Sequence, residues 1–145
     1  MLAPTRPGST QPKFRLLYLG NDLKFIAALR QVLAEEVYQL VTCADRQTAM
    51  LFLKSDIPYE VLLVDFEWRK KDGVEVARLA RKLRHRKRMP IVLLANARLS
   101  RQAFIHNKAL AEEAGVTTCV LKTHDVGEVI KRLTSADPAD WFKNL

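Results

Sequence analysis

Short apolar runs alternate along this chain with segments of helical periodicity. Five of the runs are nearly continuous in apolar residues, as strands buried on both faces of a sheet are. They span residues 14–19, 38–44, 59–65, 91–95 and 116–122. Apolar residues at spacings of three and four predict a helix after each strand. The helices cover residues 22–36, 46–55, 74–83, 101–114 and 125–133.

Strand and helix therefore alternate five times, and no internal repeat is evident. Asp45 is placed to cap the second helix at its N-terminus, and Gly115 is placed to close the fourth helix. Alternating units of this kind require a parallel sheet with right-handed crossovers. Because the strands are apolar throughout, helices should cover both faces. The predicted fold class is an α/β three-layer sandwich around a five-stranded parallel sheet.

The chain has 145 residues, 48% hydrophobic and 28% charged, which is typical of one folded domain. No apolar run reaches the roughly 18 residues of a membrane span, and residues 1–13 lack the apolar core of a secretory signal. We therefore expect a cytoplasmic protein with a disordered arm over 1–13, a domain over 14–134 and a tail over 135–145. Cys43 and Cys119 lie in separate predicted strands, so we expect buried, reduced thiols.

The chain is basic, with 24 Lys and Arg against 16 Asp and Glu and a net charge of +8. Much of this charge lies in the run 81–88. Its cations are Arg81, Lys82, Arg84, Arg86, Lys87 and Arg88. One interpretation is a solvated helix end whose cations complement the helix dipole. The other is a patch that attracts nucleic acid or another anionic surface, although no aromatic residue is interleaved to stack bases.

Polar residues follow several predicted strands, at the edge where doubly wound sheets bind their ligands. The positions at this edge are Gly20, Asn21, Asp22, Asp65, Ala95, Asn96 and Lys122. Asp65 and Lys122 should face one crevice and lie within salt-bridge reach of each other. Such a pair could serve as a phosphoryl acceptor and its counter-charge. From spacing alone, a plain ion pair at the rim of the sheet explains them at least as well.

The segment VLLVDFEWRKKDG, residues 61–73, resembles the phospho-acceptor segment of bacterial response-regulator receiver domains. Both have an apolar strand, an aspartate, and Asp-Gly seven and eight residues later. RMPIVLLAN, residues 88–96, resembles the fourth strand of that family, and AGVTTCVLK, residues 114–122, resembles the fifth. The resemblance covers residues 13–133 and implies the CheY-like, flavodoxin-like strand order 2-1-3-4-5.

The resemblance implies a phosphorelay role, in which a histidine kinase passes a phosphoryl group to Asp65 and Lys122 pairs with the phosphoryl oxygens. It also implies a Mg²⁺ site, for which the matching ligands are Asn21, Asp65 and the backbone carbonyl of Glu67. A domain of this family is a signalling module rather than an enzyme. Its fourth helix, fifth strand and fifth helix form the face that generally binds a partner.

Several positions depart from the family pattern. Gly20 and Asn21 stand where the family has an acidic pair, and Asp22 is expected to point outward as the N-cap of the first helix. A carboxylate brings charge to Mg²⁺ that an amide or glycine does not, so metal binding should be weakened. Ala95 replaces the hydroxyl that grips the phosphoryl group, and Cys119 replaces the aromatic residue that reports its movement.

These departures favour an atypical receiver-like domain, a pseudo-receiver that acts by protein–protein interaction in a two-component system. The alternative is an ordinary phospho-accepting receiver with Asp65 as acceptor. A second alternative is nucleic-acid or anionic-surface binding through the run 81–88, although no reader module is recognised after residue 133. A flavin-binding role shares the strand order, but GNDLK after the first strand does not supply a phosphate cradle.

Overall fold

The computed structural model of the protein describes residues 14–66, 72–96, 101–122 and 126–134. The strands are β1 (Phe14–Leu19), β2 (Tyr38–Cys43), β3 (Val61–Asp65), β4 (Ile91–Ala95) and β5 (Thr118–Leu121). The α-helices are α1 (Leu23–Val32), α2 (Arg46–Lys54), α3 (Asp72–Lys82), α4 (Arg101–Glu113) and α5 (Val126–Leu133). A 3-10 helix, Arg84–Arg86, follows α3. The arm expected over 1–13 and the tail expected over 135–145 lie outside the described residues. Over the described ranges, the helices are too short and too polar to cross a bilayer.

The five strands form one parallel sheet in the order β2-β1-β3-β4-β5. This confirms both the parallel sheet predicted from the alternating pattern and the strand order implied by the resemblance. In the sheet register, Leu19 lies opposite Val64, and Asp65 lies opposite Leu94. The strands therefore end together at one edge, and the residues that follow them converge there.

Helices cover both faces of the sheet because the strands are apolar on both. Every residue of β3 and of β4 is buried. Side chains of α2, α3 and α4 join the core on one face, and those of α1 and α5 join it on the other. Burial of one large aliphatic side chain contributes about 1.5–3 kcal/mol, so these two layers fix the position of the strand ends.

The helix ends follow local chemistry. Oδ1 of Asp45 accepts a hydrogen bond from the Thr48 N–H at 2.7 Å, which confirms the predicted cap of α2. Gly115 follows α4 with φ of 96°, a conformation that glycine adopts without strain, and confirms the predicted end of that helix. The first helix is shorter than predicted and ends at Val32 rather than near residue 36. Leu33 leaves helical geometry there (φ −106°, ψ 117°), and its side chain is buried in the core.

Arg86 is a structural residue rather than part of a solvated helix end. Only 3% of it is exposed. Its guanidinium donates to the carbonyls of Leu53, Ser55 and Ile57 at 2.9, 2.9 and 2.7 Å, and it lies 5.2 Å from the centre of the Tyr59 ring. These carbonyls end α2 and continue into the next loop, where no helical N–H can reach them. Arg86 therefore closes the connection between α2 and β3.

Arg81, at the end of α3, also binds backbone carbonyls through its guanidinium. Its Nε donates to the Gly115 carbonyl at 2.7 Å and one Nη donates to the Arg86 carbonyl at 3.0 Å. The interpretation as a solvated helix end is therefore wrong for Arg86, which is buried, and for Arg81, which is half-buried and binds backbone carbonyls through its guanidinium. The exposed cations of the run are Lys82, Arg84, Lys87 and Arg88.

The two cysteines are free and buried, as predicted. Cys43 lies in β2 and Cys119 in β5, the two edge strands of the sheet. Burial raises the pKa of the Cys43 thiol to about 12 and that of Cys119 to about 11. Both side chains are therefore neutral thiols at physiological pH and pack as small apolar groups.

Candidate functional site

The candidate site is built where β3, β4 and β5 end. The Phe66 N–H donates to the Leu94 carbonyl at 2.8 Å, and the Lys122 N–H donates to the Ala95 carbonyl at 2.7 Å. These bonds continue the sheet one residue beyond each strand. Asp65 and Lys122 are therefore held by backbone pairing rather than by free loops, which fixes where their side chains begin.

Lys122 joins two carboxylates. Its Nζ lies 2.8 Å from Oδ1 of Asp65 and 2.9 Å from Oδ2 of Asp22. The ammonium also lies 5.1 Å from the centre of the Phe25 ring. The structure thus places Asp65 and Lys122 within salt-bridge reach, as predicted. The charge of Lys122 is shared with a second acid that the prediction did not include.

Asp22 faces the site as well as capping the first helix. Its Oδ1 accepts from the Phe25 N–H at 3.1 Å, while its Oδ2 pairs with Lys122. The expectation that Asp22 points outward is wrong, because a carboxylate has two oxygens and the cap uses only one of them. The hydrogen bond from Lys122 lowers the pKa of the Asp22 carboxyl below its ordinary value.

The side chain of Tyr18 contacts the carboxylate of Asp65. Its ring is fully buried in β1 and packs on Phe25, with ring centres 5.6 Å apart. The hydroxyl donates a short hydrogen bond to Oδ2 of Asp65, and it lies 3.4 Å from the backbone nitrogen of Asp22, which donates to it. The two oxygens of Asp65 thus face two different groups, Tyr18 on one side and Lys122 on the other.

The environment keeps Tyr18 protonated and disfavours charge on Asp65. Burial, together with the hydrogen bond to Asp65, raises the pKa of the Tyr18 hydroxyl far above its ordinary value. Burial also raises the pKa of the Asp65 carboxyl, although the Lys122 ammonium and the Tyr18 hydroxyl favour its ionised form. Only 5% of Asp65 is exposed, so desolvation is the larger effect.

Gly20 leaves the space that the tyrosine hydroxyl fills. A Cβ at Gly20 would lie 2.5 Å from Oη of Tyr18 and 2.7 Å from its Cζ, and it would also overlap Oδ2 of Asp65. Real Cβ atoms do not approach other atoms so closely. The absence of a side chain at Gly20 and the presence of a phenol at Tyr18 are therefore two parts of one arrangement.

The residues beside Asp65 do not fit a Mg²⁺ ion. Magnesium needs several oxygen ligands in near-octahedral order. Oδ2 of Asp65 accepts a hydrogen bond from Tyr18, Lys122 is ion-paired with Oδ1 of Asp65 and with Oδ2 of Asp22, and Asn21 is exposed. Within the described ranges, no three His, Cys, Asp or Glu side chains are grouped to hold a metal. The Glu67 carbonyl lies outside the described residues, so the metal role of Asn21, Asp65 and Glu67 stays a prediction. The geometry of Asn21 and Asp65 disfavours that role.

The positions expected to grip and report a phosphoryl group carry no polar group suited to it. Ala95 is fully buried and packs in the core on the face of α2, α3 and α4. Cys119 is buried in the same layer. Asn96 is exposed at the mouth of the site.

The site opens into a groove of about 800 Å³ that runs along α1 towards α5. Lys122, Asp22 and Asn96 line its polar end, and Phe25 and Val32 lie along its apolar wall. Solvent therefore reaches the Lys122–Asp22 side of the ion-pair cluster, whereas Asp65 lies behind it.

Comparison with known proteins identifies the fold. No family model matches the sequence, and neither does any curated protein. Among solved structures, a phosphorylated cyanobacterial phytochrome response regulator, RcpA, is 18% identical with a TM-score of 0.70, over 88% of this chain and 98% of that one. The fold is that of a response-regulator receiver domain.

Two further receiver-fold structures support this result. A response regulator from Chloroflexus aurantiacus J-10-fl is 22% identical with a TM-score of 0.69, over 86% of this chain and 100% of that one. The Mn²⁺-bound form of response regulator Rcp1 is 20% identical with a TM-score of 0.61, over 91% of this chain and 96% of that one. The chain therefore covers nearly the full length of each of these receiver-fold structures.

Sequence reasoning missed Tyr18, which lies inside the apolar run of β1 and reads there as core. A signal for it exists. A buried tyrosine hydroxyl requires a partner, and the position two residues before Gly20 puts that hydroxyl next to space without a side chain. Tyr18 and Gly20 read together would have indicated a phenol at the strand edge.

Proposed function

We propose that this chain is an atypical receiver-fold module of a two-component (phosphorelay) pathway, a pseudo-receiver in the cytoplasm that binds a protein partner without phosphoryl switching. A histidine kinase or a downstream signalling protein is the expected partner. The observation that carries the proposal is the position of Tyr18. Its hydroxyl binds Asp65 in the space beside Gly20, where the receiver family has an acidic side chain.

This arrangement opposes phosphoryl transfer to Asp65. A carboxylate nucleophile must present a free lone pair to the phosphorus and must have its new negative charge neutralised. Here Tyr18 donates to one oxygen, and Lys122 divides its single charge between Asp65 and Asp22. Loss of one preorganised electrostatic group costs about 10²–10³ in rate. We therefore expect phosphorylation to be very slow.

The arrangement also lacks a group through which phosphorylation of Asp65 could change the conformation of the domain. A ligand shifts a conformational equilibrium only if it contacts the two states differently. In this chain, the residues at the two read-out positions, Ala95 and Cys119, are buried in the apolar core. A phosphoryl group on Asp65 would find no hydroxyl at Ala95 to draw towards it. The domain should therefore present one conformation to its partner.

The alternative is an ordinary phospho-accepting receiver, and one observation favours it. Asp65 and Lys122 lie 2.8 Å apart, as an acceptor and its counter-charge should. In that case Tyr18 would have to release Asp65 before transfer.

Incubation of the full chain with acetyl phosphate and Mg²⁺, followed by intact-mass spectrometry, tests the two functions. The proposal expects no addition of a phosphoryl group in the wild-type chain, as in the Asp65→Asn control. A phosphoryl adduct that forms in the wild type and is lost in Asp65→Asn would establish the ordinary receiver instead.

A further inference from the structure

A second groove lies between α2 and α3, on the face of the sheet opposite the Lys122 site. Its volume is about 630 Å³. We propose that this groove binds an acidic amphipathic helix of a partner protein. The inference rests on the proposed function, because it names the kind of partner that a receiver-fold interaction module would bind.

The floor of the groove is apolar. Met50 and Leu51 of α2 face Leu79 of α3 and Leu83, which follows it. Met50 and Leu83 pack against the core, whereas Leu51 is 69% exposed. Partly exposed aliphatic side chains of two neighbouring helices form the kind of surface on which the apolar stripe of a third helix packs. Methionine adds a side chain that adapts to the shape of a partner.

The polar residues of the groove carry one sign of charge. Arg46, Lys54 and Lys82 line it, and no acid does among the described residues. All three cations are exposed, and none of them makes an ion pair within the part of the chain that the structure describes. Arg46 and Lys54 are eight residues apart on α2, a distance of about 12 Å at a rise of 1.5 Å per residue. Positive charge therefore lies near both ends of α2, about two helical turns apart.

Helix dipoles do not account for all of this charge. Lys54 and Lys82 lie in the last turns of their helices, where a cation is favourable. Arg46 is the first residue of α2, where a cation opposes the dipole and costs free energy. A partner carboxylate beside Arg46 would offset that cost, and one beside Lys54 or Lys82 would add an ion pair.

The positive charge and the apolar floor of the groove favour some kinds of partner over others. A second copy of the chain would bring the same cations to the groove, so a symmetric contact through this face is opposed by repulsion. Nucleic acid would leave the aliphatic floor without a partner, and among the residues that the structure describes no aromatic side chain lines the groove for a base to stack on. An amphipathic helix with carboxylates beside its apolar stripe matches both features.

The test uses the full chain and two synthetic peptides of about 20 residues, long enough to form helix in water. Both have leucines at spacings of three and four. One has glutamate and glutamine elsewhere, and the other has lysine in place of each glutamate. Fluorescence anisotropy at 0.15 M salt gives the affinities, and amide NMR shifts locate the site. We expect the acidic peptide to bind at least about tenfold more tightly than the basic one, with shifts in α2 and α3.

Variants of the protein assign the binding to the groove. Lys54→Glu/Lys82→Glu should weaken binding of the acidic peptide at least about tenfold. The matched control Arg101→Glu/Lys108→Glu makes the same change in net charge on exposed positions of α4, and at this salt it should change the affinity less than about twofold. Leu51→Ser, at an exposed position, should weaken binding without unfolding the domain.

Equal binding of both peptides, equal loss in both charge-reversal variants, or shifts outside α2 and α3 would overturn the inference. Tighter binding of a DNA duplex than of the acidic peptide, lost in Lys54→Glu/Lys82→Glu, would also overturn it. If the chain stays unphosphorylated but does not bind the acidic peptide, the groove inference is wrong and the proposed function stands. If the chain binds the peptide but accepts a phosphoryl group, the groove inference stands and the proposed function is wrong.

Discussion

The hydroxyl of Tyr18 donates a hydrogen bond to Oδ2 of Asp65, so a buried phenol holds the carboxylate that the sequence resemblance predicts as the phosphoryl acceptor. Lys122 holds the other oxygen at 2.8 Å. Both oxygens of the acid are thereby engaged by side chains of this chain, Oδ2 by a hydrogen bond and Oδ1 by an ion pair.

Tyr18→Phe should destabilise the domain by about 2 kcal/mol, because it leaves a buried oxygen of Asp65 without its donor while it keeps the packing on Phe25. Chemical denaturation measures the change. In an Asp65→Asn background the same substitution should cost less, since an amide oxygen is easier to leave unpaired than a carboxylate. Equal costs in both backgrounds would show that the two groups are not coupled.

Gly20→Ala should destabilise the domain by about 1–3 kcal/mol, because the new Cβ overlaps Oη and Cζ of Tyr18. Thermal unfolding monitored by circular dichroism gives the change in stability. In a Tyr18→Leu background, which removes both atoms, the added cost of Gly20→Ala should shrink. An unchanged cost would mean that the overlap with Oδ2 of Asp65, rather than with the phenol, excludes a side chain at position 20.

Asp65→Asn should stabilise the domain at neutral pH. Because burial raises the pKa of Asp65 in the folded state, the carboxyl contributes stability below its unfolded pKa and loses that contribution as pH rises through its folded pKa. The advantage of the amide should therefore be small at low pH and rise to a plateau at higher pH. Denaturant titrations at stepped pH measure it.

Asp22→Asn is the control for that measurement, with the opposite sign. Lys122 lowers the folded pKa of Asp22, so this carboxyl stabilises the fold above its unfolded pKa, and the contribution disappears as pH falls through its folded pKa. The amide variant should be less stable than the wild type at neutral pH, with the difference vanishing in acid. The same slope for both variants would contradict the assignment of these two groups.

Arg86→Lys should destabilise the domain by about 2–3 kcal/mol, because an ammonium cannot donate to the carbonyls of Leu53, Ser55 and Ile57 with the fork of a guanidinium. Arg84→Lys makes the same chemical change at an exposed position of the same run and should be neutral. Thermal unfolding of the two variants compares them. Small and equal changes in stability for the two variants would indicate that Arg86 is a solvated surface residue like Arg84.

The sheet could be predicted because its determinants are local and periodic. Apolar runs of strand length, the Asp45 cap and the Gly115 ending each act over a few residues and appear directly in the sequence. The pairing of Asp65 with Lys122 was also predictable, since parallel strands bring their carboxyl ends to one edge.

The rest depends on contacts between residues far apart in the chain. Tyr18 lies 47 positions from Asp65, and Lys122 lies 100 positions from Asp22. Which oxygen of an acid meets which donor is decided by packing of α1 against the sheet, and no periodicity encodes it. The same is true of Arg86, whose burial follows from carbonyls that α2 leaves unpaired rather than from its basic neighbours.

The most direct test of the central claim is an amide NMR titration of the full chain with Mg²⁺ and beryllofluoride, which mimics a phosphoryl group on a carboxylate. If Tyr18, Gly20, Ala95 and Cys119 together remove the switch, the spectra should stay unchanged, or shift only around Asn21 and Asp65. Saturable shifts that extend into α4 and β5 would contradict the account and restore Asp65 as the acceptor of an ordinary receiver.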